Sequence, residues 1–301
     1  MLHTPVLVGE VVEGLNIRPG GTYLDATVGA GGHAVEIARR LEGGRLVGLD
    51  RDPQALDAAR ERLRNFEKKV TLVQASFSQI GDVQRDLGLP PFQGVLADLG
   101  VSSMQLDRAE RGFAIRQPGP LDMRMNPEDD LTAQEIVNTW PEKELANLLY
   151  EKGEERDSRR IARRIVHARP IRDTGHLATV VAGARMNRGR QRLHPATKTF
   201  LALRIAVNRE EEELGRFLTR TPATLDFGGR WVVLSYHSLE DRAVKRVFQD
   251  EARDGRLKIL TRKPVQTGEE EMRANPRARS AKLRIAERLS PEERENALSY
   301  D

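Results

Sequence analysis

Gly29-Ala30-Gly31-Gly32-His33-Ala34 fits a glycine-x-glycine-x-x-glycine/alanine turn, and it follows the run Tyr23-Leu24-Asp25-Ala26-Thr27. Glycine at such a turn lets the backbone approach a nucleotide-like ligand without a Cβ in the way. Asp50 lies 19 residues after Gly31, at the end of the next apolar run. A carboxylate there can accept two hydrogen bonds from ribose hydroxyls. The pattern points to a ribose-bearing cofactor, and nicotinamide dinucleotides and S-adenosylmethionine both use it. Two further features lean toward the second. Asp25 ends the first expected strand, where it can attract an amino-acid ammonium. Asp98-Leu99-Gly100 ends the fourth, where open sheets place their chemistry.

Other residues invite a role. His237, within Ser235-Tyr236-His237-Ser238, can accept a proton, hold a substrate or serve the structure. Ser238 with Asp241 reads as a helix start, a serine followed three residues later by an acid. Ser102 and Ser103 read as a turn, with base contact as the lesser alternative. At 100° per residue Arg156, Arg159, Arg160, Arg163, Arg164 and His167 fall within an arc of roughly 140°, with Ile161 and Ile165 opposite. That is a helix with a packed apolar side and an exposed basic stripe. Arg185, Arg188, Arg190 and Arg192 follow in a glycine-containing loop. The six histidines are scattered, and no metal-ligand spacing occurs.

The elements that must position these residues alternate. Strands are expected at 22–27, 45–50, 70–73 and 94–99, and helices at 32–41 and 53–63, after a short amphipathic helix through Leu7, Val8, Val11, Val12 and Leu15. Such alternation predicts a parallel, doubly wound α/β sheet. It stops after Gly100, and from about 107 to 195 helical patterns and arginines dominate. It resumes with a helix at 197–218, a strand at 230–236, a helix at 239–248 and closing strands at 258–261 and 282–286; residues 264–280 read as a loop. The expectation is a discontinuous sheet domain, 1–106 with 196–301, interrupted by a helical insertion at 107–195 that recognises the substrate.

Composition narrows the chemistry. The 301 residues include no cysteine, which excludes disulfide scaffolds, zinc ribbons and thiolate nucleophiles. Attack on a pyrimidine ring through a cysteine adduct is excluded with them. No apolar run approaches the ~18 residues of a membrane span, and no signal peptide is evident, so no membrane partner and a cytoplasmic location are expected. Aromatic residues make up only 5% of the chain, too few for a surface built from stacking rings. The net charge of +4 hides an asymmetry. Residues 156–209 carry 14 basic residues against Asp157 and Asp173, a balance of +12, which leaves −8 elsewhere. One strongly basic segment on an acidic body suggests a polyanionic partner.

With these residues in view, the chain resembles the RsmH (MraW) family of ribosomal RNA cytosine-N4 methyltransferases. The matching segments are His3-Thr4-Pro5-Val6-Leu7, Asp25-Ala26-Thr27-Val28-Gly29-Ala30-Gly31-Gly32-His33, and Asp50-Arg51-Asp52-Pro53-Gln54-Ala55. Asp98-Leu99-Gly100-Val101-Ser102-Ser103 with Gln105-Leu106-Asp107, and Gly119-Pro120-Leu121-Asp122-Met123-Arg124-Met125, follow. His194-Pro195-Ala196-Thr197, Tyr236-His237-Ser238-Leu239-Glu240-Asp241-Arg242 and Asn275-Pro276-Arg277-Ala278-Arg279-Ser280 complete them. They run in order over nearly the whole chain. The resemblance implies a Rossmann-like class I S-adenosylmethionine-dependent methyltransferase sheet with an inserted helical domain. It implies methyl transfer to the exocyclic nitrogen of a cytidine of 16S rRNA at the decoding centre, with 16S rRNA or the small ribosomal subunit as partner and a monomer or homodimer as the working form.

It also implies cofactor contacts at Gly31, Gly32, His33, Asp50, Phe77, Asp98 and Gln105. Asp98 and His237 become candidate catalytic residues. Arg156, Arg159, Arg160, Arg163, Arg164, Arg188 and Arg190 become candidate RNA contacts. Ala26 and Ala34 stand where the family commonly has glycine and serine, and Tyr236 where it has phenylalanine. Two other readings compete: a nicotinamide oxidoreductase on the same sheet order, and a ribosome-assembly factor with a vestigial cofactor fold. A DNA amino-methyltransferase would carry an Asp/Asn-Pro-Pro-aromatic signature where this chain has Asp98-Leu99-Gly100-Val101.

Overall fold

The computed structural model describes residues 5–184 and 194–298, the last three by their backbone alone. Its strands are β1 (Thr22–Asp25), β2 (Arg45–Asp50), β3 (Val70–Gln74), β4 (Phe92–Asp98), β5 (Leu225–Ser235), β6 (Leu257–Ile259), β7 (Val265–Gln266) and β8 (Lys282–Arg288). They form one sheet in the order β3-β2-β1-β4-β5-β8-β6, with β7 also paired to β8. The first five are parallel, and β8 runs against β5, β6 and β7. Helices Gly32–Arg40 and Pro53–Arg62 make the first two crossovers. The winding direction reverses between β1 and β4. Open α/β sheets bind their ligands at such a reversal, beyond the carboxyl ends of the strands.

Alternation along β5 splits the core of this unit. Trp231 and Val233 point to one face, where Phe217 and Phe248 lie, and Val232 and Leu234 to the other, with Leu15 and Ile37. The first face holds an aromatic cluster among aliphatic residues. Phe217 stands edge-on to Trp231 at 5.8 Å and to Phe77 at 5.3 Å. All these residues belong to a compact unit of Met1–Gly100 and Glu212–Asp301.

The second unit, Val101–Glu211, is helical. Helices Ala133–Thr139, Glu142–Glu151, Ser158–His167, Thr174–Ala184 and Thr197–Val207 enclose Ile136, Leu145, Leu149, Ile161 and Leu203. The sequence reading ends the insertion at 195, whereas the compact unit continues to Glu211. The reason is that the helix Thr197–Val207 spends its apolar face on this core, through Phe200, Ala202, Leu203 and Val207. The single helix expected at 197–218 is two helices, Thr197–Val207 and Glu210–Thr224. The chain turns at Asn208, whose side chain accepts from Met125 N–H (2.7 Å) and donates to the Met123 carbonyl (2.8 Å). Arg111 donates to the carbonyls of Arg124 and Met125, both at 2.9 Å. The run Gly119–Met125 is thereby a brace inside this unit. No helix among the described residues is long and apolar enough to cross a membrane.

The segment read as a loop at 264–280 holds β7, a short helix Glu269–Ala274 and a 3-10 turn Pro276–Ser280. Its apolar pattern is weak because its anchors are a strand edge and polar bonds, such as Thr267 Oγ1 donating to the Ala278 carbonyl (3.0 Å).

Candidate active site

Asp25, Asp50 and Asp98 end three neighbouring strands, β1, β2 and β4. The rim that carries them is laced by backbone bonds. Ala26 N–H donates to the Leu96 carbonyl (2.8 Å), Val28 N–H to that of Leu49 (2.7 Å), and Asp98 N–H to Thr27 Oγ1 (2.6 Å). The glycine turn starts from this lacing. Gly29 and Gly31 have φ of 51° and 78°, a left-handed backbone that side chains resist. Gly31 is the N-cap of the helix Gly32–Arg40, so the N–H groups of the helix's first turn lack intrahelical acceptors. This is the anion-tolerant end of a helix beside a row of carboxylates.

Asp50 shapes the turn. Its Oδ2 accepts Gly29 N–H and its Oδ1 accepts Asp52 N–H, both at 2.9 Å. Each oxygen keeps a second lone pair, so the carboxylate can still accept from two ribose hydroxyls. Burial pushes the Asp50 carboxyl up to about 6, although the N–H groups of Asp52 and Gly29 pull it down. Asp25 is 1% exposed and accepts Thr27 N–H at 3.2 Å. Burial pushes its carboxyl up to about 7; His33 and the Thr27 N–H oppose this, and the charges of Asp98 and Asp50 add to it. A cation placed beside Asp25 would relieve that penalty, and an amino-acid ammonium is such a cation. A Cβ at Gly29 would meet nothing closer than the Thr27 carbonyl at 3.9 Å, so the turn stays open there. Glycine turn, ammonium partner and diol acceptor together fit S-adenosylmethionine.

Asp98 stands between two aromatic side chains. Tyr236, just after β5, donates its hydroxyl to Asp98 Oδ1 at 2.7 Å. Burial, then the charge of Asp98, raises the phenol far above its ordinary range, so it remains a donor. On the other side His33 Nδ1 lies 3.7 Å from Asp98 Oδ2. His33 is buried, and its Nε2 bonds the Val6 carbonyl at 2.9 Å. A carbonyl only accepts, so Nε2 carries a proton there, and Nδ1 faces Asp98.

Phe77 opens the short turn Phe77–Gln79 after β3. The turn is braced by Glu213, which accepts the hydroxyls of Ser76 and Ser78, the latter at 2.6 Å. With its edge contact to Phe217, Phe77 is a half-buried ring held in place, suited to an adenine. His237 is the N-cap of the helix Ser238–Arg253. It takes the capping role that the sequence assigns to Ser238, with Glu240 rather than Asp241 as the reciprocal acid. Asp241 instead pairs with Arg284 (2.7 Å) and Lys282 (2.9 Å) on β8. His237 Nε2 is 3.0 Å from Glu240 Oε1 but out of line for a hydrogen bond, and it has no hydrogen-bond partner among the described residues.

Gln105 and the arginines belong to the second unit. Ser102 caps the helix Ser103–Asp107, and Gln105 Oε1 accepts Ser102 N–H at 3.0 Å in return, so the serine pair is turn geometry. Arg159, Arg160, Arg163, Arg164 and His167 lie on the exposed face of the helix Ser158–His167, and Arg156 is exposed just before it. Ile161, Ala162 and Ile165 are fully buried on the other face. Arg163 approaches Glu142 at 3.5 Å. Arg156, Arg159, Arg160 and Arg164 form no ion pair among the described residues. Arg188 and Arg190 lie outside the described residues.

Sequence reasoning passes over Thr27, Glu213 and the Val6 carbonyl, and treats Tyr236 only as a departure from a pattern. The signal for Tyr236 is the hydroxyl it adds at a strand end.

Residues 1–289 match the sequence model of the MraW methylase family. A protein named ribosomal RNA small subunit methyltransferase H from Koribacter versatilis (strain Ellin345) is 53% identical over 296 residues, covering 95% of this chain and 94% of that one. A protein of the same name from Cyanothece sp. (strain PCC 7425 / ATCC 29141) is 52% identical over 288 residues, covering 96% and 95%. A solved rRNA methylase from Streptococcus thermophilus overlays with a TM-score of 0.46 at 12% identity, over 96% of this chain and 99% of that one.

The raised carboxyls make a pH prediction. Both groups titrate in the folded state above the ~4 of an unfolded aspartate. Between roughly pH 4 and 7 the folded protein therefore binds more protons than the unfolded chain, and stability falls as pH rises through that window. The melting temperature of the ligand-free protein should drop between pH 5 and 7.5. Asp25→Asn should remove much of the drop, leaving the share of Asp50. Equal slopes in the two proteins would show that Asp25 is not the strained group.

Proposed function

The chain belongs to the MraW methylase family and is an S-adenosyl-L-methionine-dependent methyltransferase; from that premise we propose that it methylates the exocyclic N4 of a cytidine of 16S rRNA at the decoding centre, working in the cytoplasm. The observation that carries this reading is the row of carboxylates on β1, β2 and β4 around a glycine turn. Curated relatives covering nearly all of the chain are named as small-subunit rRNA methyltransferases, which supports the substrate. Membership of a methylase family removes the nicotinamide alternative.

Gly31, Gly32 and the first turn of the helix Gly32–Arg40 would cradle the cofactor, with Asp25 at its ammonium, Asp50 at its ribose and Phe77 at its adenine. His33 lines the methionine end, and the family resemblance adds Gln105. When bound, S-adenosylmethionine supplies an electrophilic methyl group on a sulfonium sulfur. The amine it meets is a poor nucleophile, because the nitrogen lone pair is delocalised into the cytosine ring. Asp98 accepts one of the amine's N–H bonds, favouring the tetrahedral nitrogen that can react, and receives the proton the amine gives up. Tyr236, holding the other side of the carboxylate, fixes its orientation. His237, whose second ring nitrogen is buried 3.0 Å from Glu240, holds the helix start beside the rim. The target cytidine must leave its stack to reach this rim.

The second unit supplies RNA affinity. Its basic stripe is solvent-facing and largely without carboxylate partners, which suits phosphates better than a decorative surface would.

Two outcomes are expected. Small subunits from cells lacking the gene, incubated with the purified protein and methyl-labelled cofactor, should yield labelled N4-methylcytidine on nucleoside mass spectrometry. In the same assay Asp98→Asn should lower kcat about 100-fold while S-adenosylhomocysteine binds within tenfold of wild type. Label in another nucleoside, or an undiminished kcat, would refute the target or the role of Asp98 respectively. Replacing Arg159 and Arg160 by alanine should flatten the log–log salt dependence of RNA binding by about 0.7 for each phosphate no longer neutralised. An unchanged slope would remove the stripe from the interface.

A further inference from the structure

The imidazole of His33 is set by a chain of contacts that begins far from it in sequence. Its Nε2 bonds the Val6 carbonyl at 2.9 Å. The next residue, Leu7, is a leucine with a left-handed backbone, φ 51° and ψ 42°. That conformation is costly for any residue with a Cβ and persists only where its surroundings impose it. Three contacts impose it. The Leu7 side chain is buried at 1% exposure. Its carbonyl accepts Val11 N–H at 2.8 Å. Its N–H donates to Glu271 Oε1 at 2.9 Å. Glu271 sits in the short helix Glu269–Ala274, 264 residues away along the chain. Leu7 is also the N-cap of the helix Val8–Leu15 and offers no side-chain cap, so the carboxylate of Glu271 answers an orphan donor at a positive helix end.

The segment lies close against the glycine turn. A Cβ added at Gly32 would come within 3.1 Å of Pro5. Pro5, Val6 and Leu7 thus pass over the start of the helix Gly32–Arg40, and their register decides where the Val6 carbonyl stands. That carbonyl holds a proton on Nε2 of His33 and so turns Nδ1 toward Asp98, 3.7 Å away.

We propose that Glu271 is a positioning residue of the cofactor site: through Leu7 N–H and the Val6 carbonyl it fixes the Nε2–H bond and the orientation of His33. The proposal rests on the cofactor reading given above. A mere helix cap would affect stability alone. A positioning residue affects ligand binding through His33, and any side chain with an acceptor at the same place can stand in for it.

The test compares Glu271→Ala and Glu271→Gln in the full chain, with S-adenosylhomocysteine as the probe in calorimetry. Alanine should weaken binding about five- to tenfold, the worth of one hydrogen bond. Glutamine, which keeps an acceptor oxygen, should bind within about twofold of wild type. In a His33→Ala background the alanine change should add less than about twofold. Nitrogen-15 spectra of the wild-type imidazole should show a proton on Nε2, and this holds the proposal to account even where Glu271→Ala does not fold. Wild-type affinity in Glu271→Ala, equal loss in Glu271→Gln, a full effect without His33, or an Nδ1–H tautomer would each overturn it. A wild-type protein that binds no S-adenosylhomocysteine would instead overturn the cofactor reading itself.

Discussion

Burying negative charge at the edge of a sheet is the constraint on which the site depends. Asp25, Asp50 and Asp98 are forced together by strand order, because β2, β1 and β4 are neighbours and each ends in an aspartate. Without a ligand the arrangement is unfavourable, and burial holds two of the carboxyls near 6 and 7. Everything around them limits that cost or prepares its removal. N–H groups of Thr27, Gly29 and Asp52 solvate the carboxylates, Tyr236 donates to Asp98, and a helix begins beside them. On the function proposed above, a ligand carrying an ammonium and a ribose would complete the set, and the penalty held at the rim would become affinity on binding.

The same logic separates the two units electrically. The sheet unit gathers acids where a small cationic ligand belongs. The helical unit carries arginines on the solvent face of the helix Ser158–His167, opposite the buried Ile161, Ala162 and Ile165. A modest overall charge of +4 is the sum of these opposed specialisations. The absence of cysteine is in keeping with amine methylation, which needs no covalent adduct to the pyrimidine ring.

Much of this was legible in the sequence because its signals are local. Short apolar runs ending in aspartate gave β1, β2 and β4, and a glycine turn in register gave the crossover to the helix Gly32–Arg40. The arginine stripe followed from helical periodicity alone. What stayed hidden depends on contacts between distant residues. Tyr236 finds Asp98, and Glu213 finds Ser76 and Ser78, only once β5 and the preceding helix lie against the sheet. The helix expected at 197–218 is broken because Asn208 ties down Met123 and Met125, a bond no periodicity records. His237 takes the cap from Ser238 because an imidazole in the right rotamer accepts as a serine hydroxyl does, and Glu240 sits at the reciprocal spacing. The segment 264–280 looked irregular because a two-residue strand and a six-residue helix are too short to show a period.

If Asp25 faces the cofactor's ammonium, the rim carboxylates wait partly protonated and become charged when it arrives. Calorimetry of S-adenosylhomocysteine binding at pH 6, in two buffers of different ionisation enthalpy, measures this directly. A substantial fraction of a proton should be released per molecule bound, with affinity rising toward pH 7.5. Binding that releases no proton, with an affinity indifferent to pH over that range, would contradict it.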